Sequence, residues 1–295
     1  MRLSAHSLIL DLLSTLPAHR GSMPVRALIA AGALFGFADN NIRVTLARMR
    51  ASGSVEADER GQYRLGGHTE AVRQQVVSWR RIQDRLCTWQ GGWVGVHTGS
   101  VRPDRGRPGR RHVQALRLLG FSEFDRALEI RPDNLAGGVA AMRVQLAELG
   151  LDPAARVFAL SELDSAGQEQ AMGLWDIEGL LESYAAARRE LGASSARLSE
   201  LSEERAMVET FLVGGRVVRQ LALDPLLPER MVPAADRAAL VSAMQHYDRL
   251  GRTCWAHLLA RFDVPHLRAP TDLRVASAAA QLPPSDGYEI SGGIA

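Results

Sequence analysis

Apolar side chains recur every three or four positions through the first fifty residues, and the pattern then changes to alternation. Leu8, Leu12 and Leu16, with Ile9 and Leu13 beside them, form a broad stripe that predicts a helix over residues 4–16. The segment HRGSM breaks it, and Pro24 suits the first position of a second helix, PVRALIAAGALFG. A short turn at residues 35–38 leads to a third run, DNNIRVTLARMRASG, over residues 39–53. Asp39 is placed to cap it and Gly53 to end it in a left-handed conformation. Ile42, Thr45, Leu46 and Met49 share one face of this run; Asn40, Val44, Ala47, Arg48 and Ala51 share the other, flanked by Arg43 and Asn41. The stretch SVEADERGQYRLGG then reads as a hairpin turning at residues 59–61, its second strand ending in Tyr63-Arg64-Leu65.

Three helices and a hairpin in this order predict a winged helix-turn-helix. The outward face of the third helix is small, basic and amide-rich. Small side chains let a helix backbone approach a major groove, arginine bonds guanine and asparagine bonds adenine, each in bidentate fashion. Asn40, Asn41, Arg43, Thr45 and Arg48 are therefore candidates to read bases or anchor phosphates, and Arg60 and Arg64 on the hairpin to grip the backbone. The bland alternative is a three-helix protein-interaction module with a solvated hairpin.

Residues 70–86 read as a connecting helix rich in Arg and Gln. Beyond them Trp93, Val94 and Val96 form the body of a strand, RHVQALRLLG a helix, residues 127–131 a strand, 135–149 a helix and 156–160 a strand. This β-α-β-α-β order predicts a small ferredoxin-like domain. From Leu174 onward the pattern is helical: LWDIEGLLESYAAARRELG, then residues 200–212 and 216–223 as two helices, the proline-punctuated turn DPLLPERMVP, and a final helix over 235–262. The expected class is α+β, mostly α. Its units are a DNA-binding domain at 1–67, a connector at 68–86, a ferredoxin-like domain at 87–172, a helical domain at 173–264, and a disordered tail at 265–295, where periodicity gives way to Pro, Ser and Gly.

With 295 residues, 46% of them hydrophobic, the chain can build several cores. No apolar run approaches the roughly 18–20 residues of a membrane span. The N-terminal apolar patch contains Asp11 and is amphipathic, as a first helix rather than a signal peptide is, so a cytoplasmic protein is expected. Every side-chain cation other than histidine is an arginine. Residues 1–86 hold twelve Arg against seven acids, 87–130 seven against four, and 131–295 sixteen against twenty-two. A basic front and an acidic back suit nucleic acid at one end. Cys87 and Cys254 make no CxxC, and the histidines no HxxxH or HExxH, so no metal or cofactor is expected. Residues 102–111 hold five arginines at the start of a helix. Arg105, Arg107, Arg110 and Arg111 are candidates for the phosphates of an acidic ligand, a solvated loop being the equal alternative.

The segments SLILDLL, IRVTLARMRASG, QYRLG, WQGGWVGVH, LRLLGF, EIRPDNL, LWD and VRQLALDPLLPERMVP, in this order, resemble the PaaX family of bacterial transcriptional repressors, which control phenylacetate and related aromatic catabolism. The resemblance implies a winged-helix domain, a ferredoxin-like domain akin to the small CRISPR-associated nucleases, and a helical C-terminal domain. It also implies a homodimer released from operator DNA by an aryl-CoA thioester such as phenylacetyl-CoA. Arg43 and Arg48 match arginines of the family's third-helix pattern, which implies DNA contact. Where the family shows a Trp-Pro-Gly-like step, this chain has Pro233-Ala-Ala-Asp236. An enzymatic alternative, a metal-dependent nuclease on the central domain, needs an Asp closing the first central strand. That strand ends at His97 and is followed by Thr98-Gly99, with Asp104 the nearest acid downstream, so no catalytic residue is assigned. A third alternative is a DNA-binding protein with no small-molecule effector.

Overall fold

The computed structural model describes residues 3–16, 21–99 and 109–264; the expected tail at 265–295 lies outside them. Helix α1 (Ala5–Ser14) begins at a capping box in which Ser4 and Ser7 bond each other's backbone N–H groups. It buries Leu8, Ile9, Leu12 and Leu13. Strand β1 is only Met23–Pro24, so Pro24 precedes helix α2 (Val25–Leu34) instead of opening it. Helix α3 (Asp39–Ala51) packs on α2 where Gly32 leaves room: a Cβ there would come within 2.8 Å of Ile42. Strands β2 (Val55–Ala57) and β3 (Gln62–Leu65) complete a three-stranded antiparallel sheet ordered β1-β3-β2.

The expected single connecting helix is broken. Helix α4 (Gly67–Val77) ends at Ser78, whose hydroxyl bonds the Gln75 carbonyl. A 3₁₀ turn, Ser78–Arg81, follows and buries Trp79, and one helical turn, α5 (Ile82–Arg85), completes the segment. Burying Trp79 and Ile82 inside the connector bends it where the helical pattern alone ran straight.

The central sheet has one strand more than the pattern showed. Its order along the chain is β4 (Trp93–His97), α6 (Arg110–Leu118), β5 (Ser122–Asp125), β6 (Leu128–Pro132), α7 (Gly138–Glu148) and β7 (Arg156–Leu160). Spatially the strands run β5-β6-β4-β7, every pair antiparallel. The extra strand, β5, is a polar edge with a register shift between Glu123 and Asp125, which hid it from an apolar-pattern reading. In β4, Gly95 lets the Phe158 ring lie flat on the sheet, since a Cβ there would come 2.8 Å from the ring.

Helix α8 (Ser165–Met172) was not anticipated; it leads to α9 (Ile177–Arg197), α10 (Glu203–Ala222) and α11 (Ala234–Ala260). The two helices expected at 200–212 and 216–223 are one, running unbroken through Gly214-Gly215. Each interior glycine costs roughly 1 kcal/mol against Ala. Burial of Met207, Val213, Val217 and Leu221 along α10 outweighs that. One hydrophobic core then runs from α1 through the central sheet to α11. Phe35, in the turn before α3, has its ring centroid 5.0 Å from Phe211 on α10 and 6.4 Å from Trp255 on α11.

Candidate nucleic-acid interface

Helix α3 turns Ile42, Leu46 and Met49 into the core at 0–1% exposure. Its opposite face is left to solvent: Asn40, Asn41, Arg43, Val44, Ala47, Arg48 and Ala51 are all exposed. Asp39 does not cap the helix. The cap residue is Ala38, and Asp39 lies in the first turn, where its carboxylate accepts from Arg43 Nε at 2.6 Å. An acid there also meets the positive end of the helix dipole, which the side-chain bond does not disturb. Gly53 follows the last turn with φ +71°, as the pattern expected. Thr45 is half-buried, its hydroxyl 3.4 Å from Asn41 Oδ1.

The hairpin tip is built by Asp58, whose carboxylate accepts the backbone N–H groups of Arg60 (2.9 Å) and Gln62 (2.8 Å). Gly61 takes the left-handed conformation at φ +72° that this turn requires. Arg60 is exposed at the tip. Arg64 sits opposite Glu56 in the β2–β3 register and donates to its carboxylate from Nε at 2.9 Å and Nη2 at 2.7 Å. Of the basic residues singled out, Arg43 and Arg64 thus carry acid partners, whereas Arg48 and Arg60 have none among the described residues. A phosphate can take the place of either exposed carboxylate at little cost, because exposed pairs are worth about 0–1 kcal/mol.

Two further residues belong to this surface: Val44, which its spacing already placed on the outward face, and Arg50, which the sequence reading did not single out. Val44, 41% exposed between Asn40 and Arg48, is an apolar contact of the kind that meets a thymine methyl. Arg50 is exposed in the last turn, two turns after Arg43, and lines a groove with Glu56 and Arg64 of the hairpin. The two-turn spacing was the signal for it.

The arginine loop is divided. Arg105 and Arg107 lie outside the described residues. Arg110 and Arg111 open α6 and are both exposed, and they diverge: Arg110 faces the junction with the C-terminal helices, Arg111 sits beside Gly150 and His68. Among the described residues no group of three His, Cys, Asp or Glu side chains is gathered to hold a metal ion, and no helix is long and apolar enough to cross a membrane.

Residues 4–69, from the capping box of α1 to the start of α4, match the family described as PaaX-like protein. The chain carries a PaaX-like N-terminal domain. The matched residues contain all of α3 and the hairpin, so the candidates on those elements fall inside the PaaX-like domain and the arginine loop falls outside it. The solved structure of the uncharacterized protein Rv0674 from Mycobacterium tuberculosis is similar over 89% of this chain and 98% of that one, at 24% identity and a TM-score of 0.54. At that identity the likeness is one of fold, and it extends well past the PaaX-like domain to the central sheet and the C-terminal helices. No curated protein matches the chain.

Proposed function

We propose that this chain is a DNA-binding transcriptional regulator, acting as a repressor of an operon for aromatic or acyl-CoA catabolism. The observation that carries the reading is the outward face of α3: amide, arginine and small apolar side chains, all exposed, inside a PaaX-like domain. Asn40, Asn41, Arg48 and Val44 read base edges, Arg43 and Thr45 support them, and Arg60 and Arg64 hold phosphates from the hairpin. A homodimer presents two copies of α3 to major grooves about 34–36 Å apart. In this reading residues 1–67 bind DNA, 68–86 connect, 87–172 form a ferredoxin-like domain, and 173–264 form the helical domain. The strand order β5-β6-β4-β7 supports the ferredoxin-like reading. The effector is an acidic metabolite of the aryl-CoA class, phenylacetyl-CoA or a relative, and the protein works in the cytoplasm.

The test is a mobility shift on the DNA upstream of the protein's own gene at fixed salt, with and without phenylacetyl-CoA and other acyl-CoAs. A specific shift released by one thioester is expected. A shift that every thioester leaves intact overturns the effector class, and no specific shift overturns the regulator reading.

A further inference from the structure

Helices α1, α4, α6, α10 and α11 converge on a cavity of about 760 Å³ that no part of the DNA-facing surface uses. That is within the range of roughly 300–1,000 Å³ typical of small-molecule sites. One wall is a stripe of α6 in which Arg110, Val113, Gln114 and Arg117 recur at helical spacing, all lining the cavity. Val113 is 48% exposed, unusual for a valine between two arginines. Neither Arg110 nor Arg117 has an acid partner among the described residues. The cavity's other arginines differ: Arg73 is held by Glu70, Arg80 and Arg252 share Asp248, and Arg219 of α10 acts on Asp11 of α1. Uncompensated positive charge therefore collects on the α6 wall. The facing wall offers an apolar patch, Phe211 and Val218 of α10 with Leu10 of α1, beside the Asp11 and Arg219 side chains. Gly215 lines it as well, and a Cβ built on that residue would meet nothing within 4 Å.

The geometry points to this cavity as the effector site, taking a small organic acid whose apolar body lies against Phe211 and Gly215 and whose anionic end is held by Arg110 and Arg117. This rests on the regulator reading, departs from its aryl-CoA effector in favour of a smaller organic acid, and gives that acid a place and a route. The same Phe211 and Trp255 that line the cavity are packed against Phe35, in the turn that delivers α3. On the α1 side, Asp11 lines the cavity within the field of Arg219, and an anion bound between the walls competes for that charge. A ligand that settles differently against the ring cluster in two arrangements of α1 and α10 shifts their populations by its differential affinity, and DNA binding with them.

The experiment uses the full chain and two separate readouts. Calorimetry without DNA tests a panel of aryl and alkyl carboxylates and their CoA thioesters, with 4-phenylbutanol as the neutral counterpart of 4-phenylbutyrate. Mobility shift without ligand tests DNA binding. At least one acid is expected to bind, its neutral counterpart at least tenfold more weakly. Arg117→Ala and Arg110→Ala together should weaken the acid at least tenfold. Gly215→Phe should abolish binding while Gly215→Ala, which adds one methyl to open space, keeps it and controls for folding. No binding by any acid of the panel, or equal binding in Gly215→Phe, overturns the site whatever the DNA result. Acid binding that leaves the shift unchanged in wild type overturns the route through Phe35. Acid binding with no specific DNA shift leaves the cavity assigned and overturns the regulator reading on which its role rests.

Discussion

The guanidinium of Arg43 is held one helical turn from Asp39, Nε to Oδ1 at 2.6 Å, on the face of α3 that points away from the core. In the free protein this pair keeps one arginine of the outward face matched, and in the proposed complex it puts a negative charge near the DNA backbone. Asp39→Ala removes that repulsion and releases Arg43. Non-specific DNA affinity is expected to rise several-fold at low salt, with a steeper fall as salt increases, because one more cation becomes available to displace counterions. A titration at several salt concentrations checks this. Unchanged affinity and slope would place α3 away from the phosphates.

The hairpin makes a parallel case through a different pair. Arg64 is matched by Glu56 across the sheet, while Arg60 at the tip has no acid partner among the described residues. Arg60→Ala should weaken binding uniformly across DNA sequences and reduce the salt slope by about one, the mark of a phosphate contact without base readout. A change of preferred sequence in that variant would contradict the phosphate role.

Between the central sheet and the C-terminal helices lies a joint whose failure should cost stability. Arg131 is 1% exposed, its guanidinium bonding the carbonyls of Leu119 and Pro132 and Asn134 Oδ1. Burial and the neighbouring Arg85 bring its pKa down to about 9, so it remains charged at neutral pH. Asn134 Nδ2 donates in turn to the Leu226 carbonyl at 2.8 Å, joining EIRPDNL to DPLLPER. Asn134→Ala leaves a buried donor and a buried acceptor unmatched, at about 1–3 kcal/mol for each. A fall in Tm of several degrees is expected by calorimetry, and an unchanged Tm would contradict it.

Stability should also fall with mild acid. Burial pushes His112 below its ordinary value, although the charge of Asp152 opposes the shift, and its Nδ1 accepts the Asp152 N–H at 3.2 Å, which requires the neutral ring. Burial also lowers His68, beside Arg111, and His246, beside Arg249. The unfolded chain therefore binds protons more readily than the folded one below its ordinary histidine pKa, about 6.5. The stability these groups contribute is full above that value and lost as pH falls toward the lowered folded values. Denaturant unfolding at pH 7.5 and 5.5 should show the lower midpoint at 5.5, and His112→Gln should lessen the difference. Asp11 and Glu129, raised by burial, act in the opposite sense above their ordinary carboxylate values. An unchanged midpoint, or a higher one at pH 5.5, would contradict the assignment.

Much of this was legible in the chain wherever a face alternated cleanly. Ile42, Leu46 and Met49 marked the buried side of α3, because burial on one side leaves a period that local sequence carries, while Trp93, Val94 and Val96 marked β4 as a short apolar run, buried on both faces. What escaped depended on partners far away in sequence. β5 is a polar edge strand whose pairing with β6 is invisible to hydrophobic spacing. Gly214-Gly215 looked like a helix break until the burial of the rest of α10 was seen. Arg131 reads as a surface cation in any charge pattern; only Leu119 and Asn134, brought together by the fold, make its burial tolerable. The arginine loop showed its positive charge but not that Arg110 and Arg111 would face different neighbours. The cavity, built from five helices, has no local signature at all.

The central claim is that α3 reads DNA sequence. The most direct measurement compares wild type and Arg48→Ala on the DNA upstream of the protein's own gene and on a scrambled duplex, at one salt concentration. The account predicts that Arg48→Ala lowers the ratio of specific to scrambled affinity by about 1–3 kcal/mol while binding to the scrambled duplex changes far less. Equal loss on both duplexes, or an unchanged ratio, would contradict it.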